Sequence, residues 1–286
     1  MGMPTGSKLN RLQRDLPEGL VVDANWLERR GYSSALRSKY AAHGWLEQVA
    51  RGVYRRPTAL LSSPPKRDEP LRWQNVVISL QTVLERPFIV GGRTALELQG
   101  FAHYLGAGEL REVHLYGNER PPAWISKLKL ETKFVFHNAR KLFKNEAPGH
   151  VGPSQQATGT RSRGDGLVRQ PWGQWEWPLI LSAPERAILE LLDEVPQKET
   201  FHQADMLMEG LRTLSPKRLQ KLLVECRSVK VKRLFLWFAE RHNHAWLKQI
   251  NREGIDLGTG KRMLQRGGKL DPKYAITVPE NLDAGG

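Results

Sequence analysis

The sequence of 286 residues predicts a mixed α+β protein in which an N-terminal winged helix-turn-helix is followed by a larger α/β region that ends in a helical subdomain. Three observations point there. Residues 1–58 carry the signals of helix, turn, helix and β-hairpin in that order. The middle of the chain mixes short apolar runs with helical spacing, and from Ala183 onward helical spacing dominates. At roughly 150 residues per domain, the length allows about two domains. The Ser and Pro cluster at residues 59–70 is the expected linker between them, which leaves 71–286 as the second domain.

In the first module, Leu9, Leu12 and Leu16 form the apolar stripe of a helix that Pro17 and Gly19 stop. Leu20, Val21 and Val22 read as extended. Asp23 is placed to cap a helix running to Arg29 or Arg30, and Gly31 ends it. Ser33 then caps a second helix, Ser34 to His43, which Gly44 stops. Trp45 to Val49 and Val53 to Arg56 read as strands on either side of a tight turn at Ala50, Arg51 and Gly52. With Leu36 and Tyr40 turned to the core, a helical wheel places Ser34, Arg37, Ser38, Ala41 and Ala42 on the outer face. Small side chains let a helix sit deep in the DNA major groove, where Arg37 would reach a guanine edge or a phosphate.

Further along, Leu71 to Glu85 has helical spacing and Pro87 to Val90 is a short buried strand ended by Gly91-Gly92. A helix from Thr94 to Gln99 and strands at Val113 to Tyr116 and Leu130 to His137 follow. Residues 147–170, rich in Gly, Ser, Thr and Gln, read as a surface loop. Pro184 suits the first turn of a helix through Asp193, Ser215-Pro216 opens the next, and Val229 to Glu240 and Trp246 to Arg252 complete the helical part.

Charge narrows the function. The net charge is +14, divided as +5 over residues 1–58, +1 over 59–214 and +8 over 215–286. Two basic ends around a neutral middle suit a polyanionic partner, of which double-stranded DNA is the expected one. A single cysteine, Cys226, leaves no intramolecular disulfide, and no apolar tract approaches the roughly 18 residues that span a bilayer. The expectation is a cytoplasmic, nucleoid-associated protein without a membrane partner.

The run LVVDANWLERRGYSSALRSKYAAHGWLEQVARGVYRRP, then ISLQTVLERPFIVGGRTALELQGFAHYL and EVHLYGNERPPAW, resembles the AbiEi antitoxins of type IV toxin-antitoxin systems, which derive from abortive-infection loci. The resemblance covers about half the chain. It implies an N-terminal winged helix that binds inverted repeats in its own promoter and represses the operon. It also implies a C-terminal domain that counters a nucleotidyltransferase-like toxin encoded alongside, without need of a stable complex between the two.

Catalytic alternatives stay open at this level. Gly91-Gly92-Arg93-Thr94 lies where a nucleotidyltransferase would cradle a phosphate, yet no two acidic residues stand two apart to hold Mg²⁺, so a tight turn with Thr94 as helix cap is favoured. Glu131-Thr132-Lys133 with Glu112 has the order of a metal-dependent nuclease, though alternating charge on an exposed strand is far commoner. His242 and His244 with Cys226 or His202 lack ordered metal-ligand spacing. Trp172, Trp175, Trp177, Trp237 and Trp246 are read as core or contact surface before base-stacking platforms. A third reading is a transcription factor whose second domain senses a ligand.

The expected site therefore comprises Ser33, Ser34, Arg37, Ser38 and Lys39 of the recognition helix, Arg51, Arg55 and Arg56 of the wing, and Lys230, Lys232 and Arg233 of a C-terminal basic face. That face, which also holds Lys217, Arg218, Lys221 and Arg227, would extend the DNA footprint or dock an acidic partner. No catalytic residue, metal or cofactor is expected.

Overall fold

The structure is a computed structural model that describes residues 5–58, 70–86, 88–101, 110–144 and 166–282. Residues 59–69 of the expected linker and 147–165 of the expected surface loop lie outside them. The first module has helix α1 (Thr5–Asp15), strand β1 (Val21–Asp23), helices α2 (Ala24–Arg29) and α3 (Ser34–Ala42), and strands β2 (Glu47–Ala50) and β3 (Val53–Arg55). Its sheet runs β1-β3-β2, antiparallel throughout. Asp23 caps α2 by accepting from the Trp26 N–H at 2.8 Å, and the Ser33 hydroxyl accepts from the Leu36 N–H. Leu12, Leu16, Val22, Leu27, Tyr40 and Val53 close its core.

That core does not end at residue 58. Helix α4 (Trp73–Ile78), continued by a π-helical turn at Ser79–Val83, packs against it. The Val21 N–H donates to the Ser79 hydroxyl at 2.8 Å and the Trp26 indole N–H to the Val83 carbonyl at 3.1 Å. From further along, the Trp124 indole donates to the Asp23 carboxylate. The winged helix is thus hydrogen-bonded to the remainder of the chain.

The second region is built on a sheet of β4 (Ile89–Val90), β5 (Glu112–Gly117), β6 (Lys133–Asn138), β7 (Leu167–Trp172) and β8 (Trp177–Ser182), ordered β6-β5-β4-β8-β7. Helix α5 (Gly92–Leu98) leads from β4 and packs on α6 (Pro184–Glu194). Helices α7 (Phe201–Gly210), α8 (Pro216–Glu225) and α9 (Val229–Arg241) surround α6, which is buried from Glu185 to Leu192 on every face. The chain closes on a small sheet of β9 (Arg262–Met263), β10 (Lys269–Asp271) and β11 (Ile276–Val278). The expected helical subdomain is present as α6 to α9, and the small sheet follows it with strands too short to show alternation. The end of the expected loop, Leu167 to Gln170, is a strand paired with β8.

Buried all round, α6 must find a partner for each of its charges. Glu190 is completely buried and accepts from the Gly92 N–H at 2.9 Å, the Ser182 hydroxyl at 3.0 Å and the Arg186 guanidinium at 2.7 Å. Glu185 accepts from the Ser215 N–H and from Arg218, both at 2.7 Å, which fixes the start of α8. Glu194 lies 3.3 Å from His137 Nδ1 and 2.8 Å from the Lys198 ammonium. His137 Nε2 in turn lies 2.9 Å from His114 Nδ1, with the Tyr116 ring stacked on His137. His137 Nδ1 thus faces the Glu194 carboxylate while its Nε2 faces His114 Nδ1. The His137 N–H holds the Glu194 carboxyl down at about 2, whereas burial, with His137 second, pushes His114 down to about 4.

Gly91-Gly92 is shaped by the same node. Gly91 has no room for a Cβ, which would overlap the Glu190 carboxylate and the Tyr116 ring, and Gly92 adopts φ +53°. Thr94 is not the helix cap expected from the sequence. Its hydroxyl accepts from the His114 N–H at 3.0 Å, and the first turn of α5 is served by the Glu190 carboxylate instead.

Two predictions follow from this packing. Gly91→Ala should lower the urea midpoint by the equivalent of more than about 3 kcal/mol, because steric overlap and the loss of a charged hydrogen bond add; an unchanged midpoint would contradict the packing. For pH, His114 ordinarily titrates at 6.5 and Glu194 at 4.5, and both are depressed in the folded chain. The unfolded chain therefore binds the proton first, so the stability from His114 is complete above pH 6.5 and falls as pH drops towards 4. That from Glu194 is complete above 4.5 and falls towards 2. Each group contributes a slope of up to about 1.4 kcal/mol per pH unit within its window. His114→Gln should flatten the loss of stability between pH 6.5 and 4.5 in urea titrations.

Candidate nucleic-acid interface

The outward surface of α3 is formed by Ser34, Ala35, Ser38, Lys39 and Ala42, with Ser33 exposed at its cap. These side chains are short apart from Lys39, and Lys39 makes no ion pair among the described residues. The hairpin that follows is short: Arg51 stands exposed beside Gly52, whose φ of +77° forms the turn and whose carbonyl accepts from the Ala24 N–H at 2.8 Å. At the far end of α3, His43 and Trp45 stack on each other with ring centroids 5.0 Å apart and are both exposed. The face thus has a narrow polar helix, a basic wing tip and an aromatic pair, an arrangement able to enter a groove and contact phosphates on its flanks.

Arg37 does not belong to that face. It is 7% exposed, and its guanidinium donates to the Tyr32 carbonyl at 2.8 Å. The wheel was turned by about one residue: Arg37 and Tyr40 point inward, Leu36 and Ala41 are half-buried, and Ala35 is exposed. A helix whose only large apolar residues are Leu36 and Tyr40 gives a weak orienting signal, and the backbone carbonyl of Tyr32 decides the matter.

Two wing cations are also committed to the fold. Arg55 is buried and pairs with Glu47 across the hairpin at 2.6 Å. Arg56 donates to the Gln13 carbonyl at 2.6 Å and pairs with Glu18 at 2.8 Å, which ties the end of the wing to α1.

The expected C-terminal basic face dissolves in the same way. The Lys230 ammonium donates to the carbonyls of Asp193 and Val195 at 2.6 and 2.8 Å, at the C-terminal end of α6. Lys232 is 4% exposed. Arg233 is equally buried and donates to the carbonyls of Leu257, Gly258 and Gly260, which bolts α9 to the loop before the terminal sheet. Arg218 is spent on Glu185. Lys217, Lys221 and Arg227 are the exposed remainder. In sequence, a long basic side chain reads identically whether it reaches solvent or a buried carbonyl.

The catalytic alternatives do not assemble either. The glycine pair that resembled a phosphate cradle already holds an anion, the carboxylate of Glu190. Lys133 pairs with Glu112 directly opposite it in the β5-β6 register, with both side chains exposed, and Glu131 precedes the strand. His242 bonds Asp205 at 2.8 Å, and His244 bonds the Met208 carbonyl at 2.7 Å. Cys226 is buried, and that burial raises its thiol to about 11, far from a reactive thiolate. Among the described residues no three His, Cys, Asp or Glu side chains gather as a metal site. Trp237 and Trp246 pack on Phe238 and Phe235. Trp172, Trp175 and Trp177, in contrast, stand at the tip of the β7-β8 hairpin.

Among the described residues no helix is long and apolar enough to cross a membrane. No curated protein matches the sequence. Among solved structures, the RV2827C protein from Mycobacterium tuberculosis is similar at 15% identity and a TM-score of 0.49, over 96% of this chain and 92% of that one. Residues 5–107 match the family model described as the N-terminal domain of the AbiEi antitoxin transcriptional regulator. Residues 111–279 match the companion model, described as a transcriptional regulator, AbiEi antitoxin, of type IV toxin-antitoxin systems. With its fold headed by a winged helix and both models matched in order along nearly its whole length, this chain belongs to the AbiEi family of antitoxin transcriptional regulators.

Proposed function

We propose that the chain represses its own operon by binding inverted repeats in the promoter through the winged helix at residues 1–58, and that residues 71–286 counter a nucleotidyltransferase-like toxin encoded beside it. It does so without catalysis of its own, without a cofactor and without a stable complex with the toxin, in the cytoplasm at the nucleoid. The observation that carries the DNA-binding half is the free surface of α3. Ser34, Ser38 and Lys39 project from it beside Arg51, while Arg37, Arg55 and Arg56 are held inside the module.

In this reading Lys39 and Arg51 contact phosphates, and Ser33, Ser34 and Ser38 donate to phosphates or base edges. Arg37, Arg55 and Arg56 shape the module. Lys230, Lys232 and Arg233 shape the second region and lie outside the DNA contact. The antitoxin half rests on family membership and on the placement of the two matched models.

Binding to the chain's own upstream DNA, followed by gel shift across a range of salt, tests the assignment. Lys39→Ala and Arg51→Ala should each weaken binding and reduce the slope of log K against log salt by about 0.9. Arg37→Ala should leave that slope unchanged. The reverse pattern, a slope altered by Arg37 and indifferent to Lys39 and Arg51, would overturn it.

Repression and antitoxicity should also separate. In cells carrying the neighbouring toxin gene, the Lys39→Ala, Arg51→Ala double variant should lose repression of a promoter reporter and still protect against toxin supplied from an independent promoter. Loss of protection in a stably folded double variant would contradict the division of labour.

A further inference from the structure

The β7-β8 hairpin ends in Trp172-Gly173-Gln174-Trp175-Glu176-Trp177, with Trp172 and Trp177 paired across the last rung and Gly173 at φ +72° in the turn. Trp175 is 57% exposed, and Trp172 and Trp177 are half-buried. Three indoles within six residues would ordinarily be hidden, since each removes a large apolar area from water when covered. Here they form one wall of a cleft of about 410 Å³. Its lining also includes Glu18, Gly19, Arg55 and Thr58 of the winged helix and Arg72 and Asn75 at the start of α4. That volume is of the order found for small-molecule sites, roughly 300–1,000 Å³.

The polar groups of the cleft fall into two sets. Glu18 and Arg55 are neutralised by Arg56 and Glu47. Among the described residues, the Arg72 guanidinium, the Asn75 side-chain amide and the indole N–H groups of Trp172 and Trp177 make no hydrogen bond, and Arg72 is exposed. Gly19 leaves space for the Asn75 amide, which would lie 3.1 Å from any Cβ placed there. The cleft therefore offers aromatic faces, an amide that both donates and accepts, and the guanidinium of Arg72, which has no partner among the described residues.

We propose that this cleft binds a free mononucleotide, with the base stacked on the indoles of the hairpin, its edge read by Asn75 and its phosphate met by Arg72. A planar base suits the indole faces and a donor-acceptor edge suits an amide. A phosphate gains a charge-assisted hydrogen bond from a guanidinium. Bases inside a duplex are already stacked and cannot enter, so the operator itself is not the ligand. The remaining source of the same chemistry is an unstacked base on a single strand, and the titrations below separate the two.

Isothermal titration calorimetry of the full chain with the four ribonucleoside 5′-monophosphates, the corresponding nucleosides, inorganic phosphate and a short single-stranded oligonucleotide without terminal phosphate tests it. At least one monophosphate should bind saturably. Trp175→Ala should weaken that binding by about tenfold or more and Trp175→Phe should largely restore it, as a stacking contribution requires. Since Trp175 is exposed, its removal leaves the fold intact, which circular dichroism checks. Arg72→Ala should weaken the monophosphate and leave the nucleoside unaffected. Absence of saturable binding by every monophosphate overturns the proposal, as do equal affinities in wild type and both alanine variants. Tighter binding of inorganic phosphate or of the oligonucleotide than of any monophosphate also overturns it, the latter in favour of a single-strand site.

Discussion

The carboxylate of Glu190 is the interaction on which the second region depends. A fully buried ion is tolerable only when its lone pairs are all engaged, and here a backbone N–H of α5, a hydroxyl of β8 and a guanidinium of α6 itself are drawn to one point. That demand places α5 against β8 and α6, which lie some ninety residues further along the chain. The glycine pair before α5 exists to let the carboxylate approach, and the same approach fills the place where a phosphate would otherwise sit. Around this node the other acids of α6 reach outward, Glu185 to α8 and Glu194 to β6, and its C-terminal carbonyls receive Lys230.

The rule that a buried charge must be satisfied also sorts the basic residues. A net charge of +14 suggests a strongly cationic surface, yet several of the cations with the most suggestive positions are consumed internally. Arg233 ties α9 to carbonyls near the terminal sheet, Arg55 braces the wing, Arg56 fastens the wing to α1 and Arg37 satisfies a carbonyl before α3. What remains on α3 and the wing tip is a small set, Lys39 and Arg51, around a face of serines and alanines, while Arg29 is exposed on α2. Few free cations on a narrow helix favour a reader of grooves over an indiscriminate polyanion binder.

The sequence revealed the winged helix almost residue by residue because its signals are local. Asp23 and Ser33 cap where a short acceptor must stand, and Gly31, Gly44 and Gly52 turn where φ is positive. The identity of the outer face of α3 was less legible, since orientation of a nine-residue helix with two large apolar residues is set by tertiary contacts. Pro184 and Ser215-Pro216 likewise announced α6 and α8. Glu190 was invisible, because an acid within Leu189-Glu190-Leu191-Leu192 reads as the polar side of an amphipathic helix until the helix proves buried on every face. The terminal strands of two or three residues are too short for any period to register. The tryptophan-bearing hairpin was in view as composition, but its cleft also takes lining from the winged helix, which only the fold supplies.

Family membership joins transcriptional regulation and antitoxicity in one chain. The central claim is that α3 and the wing tip meet DNA while the buried cations of α9 hold the fold. Amide hydrogen exchange of the full chain, with and without its own promoter DNA, tests this most directly. Added protection is expected at residues 33–43 and 50–53, with residues 229–233 unchanged. Protection concentrated on residues 229–233, with α3 and the wing unaffected, would contradict the claim.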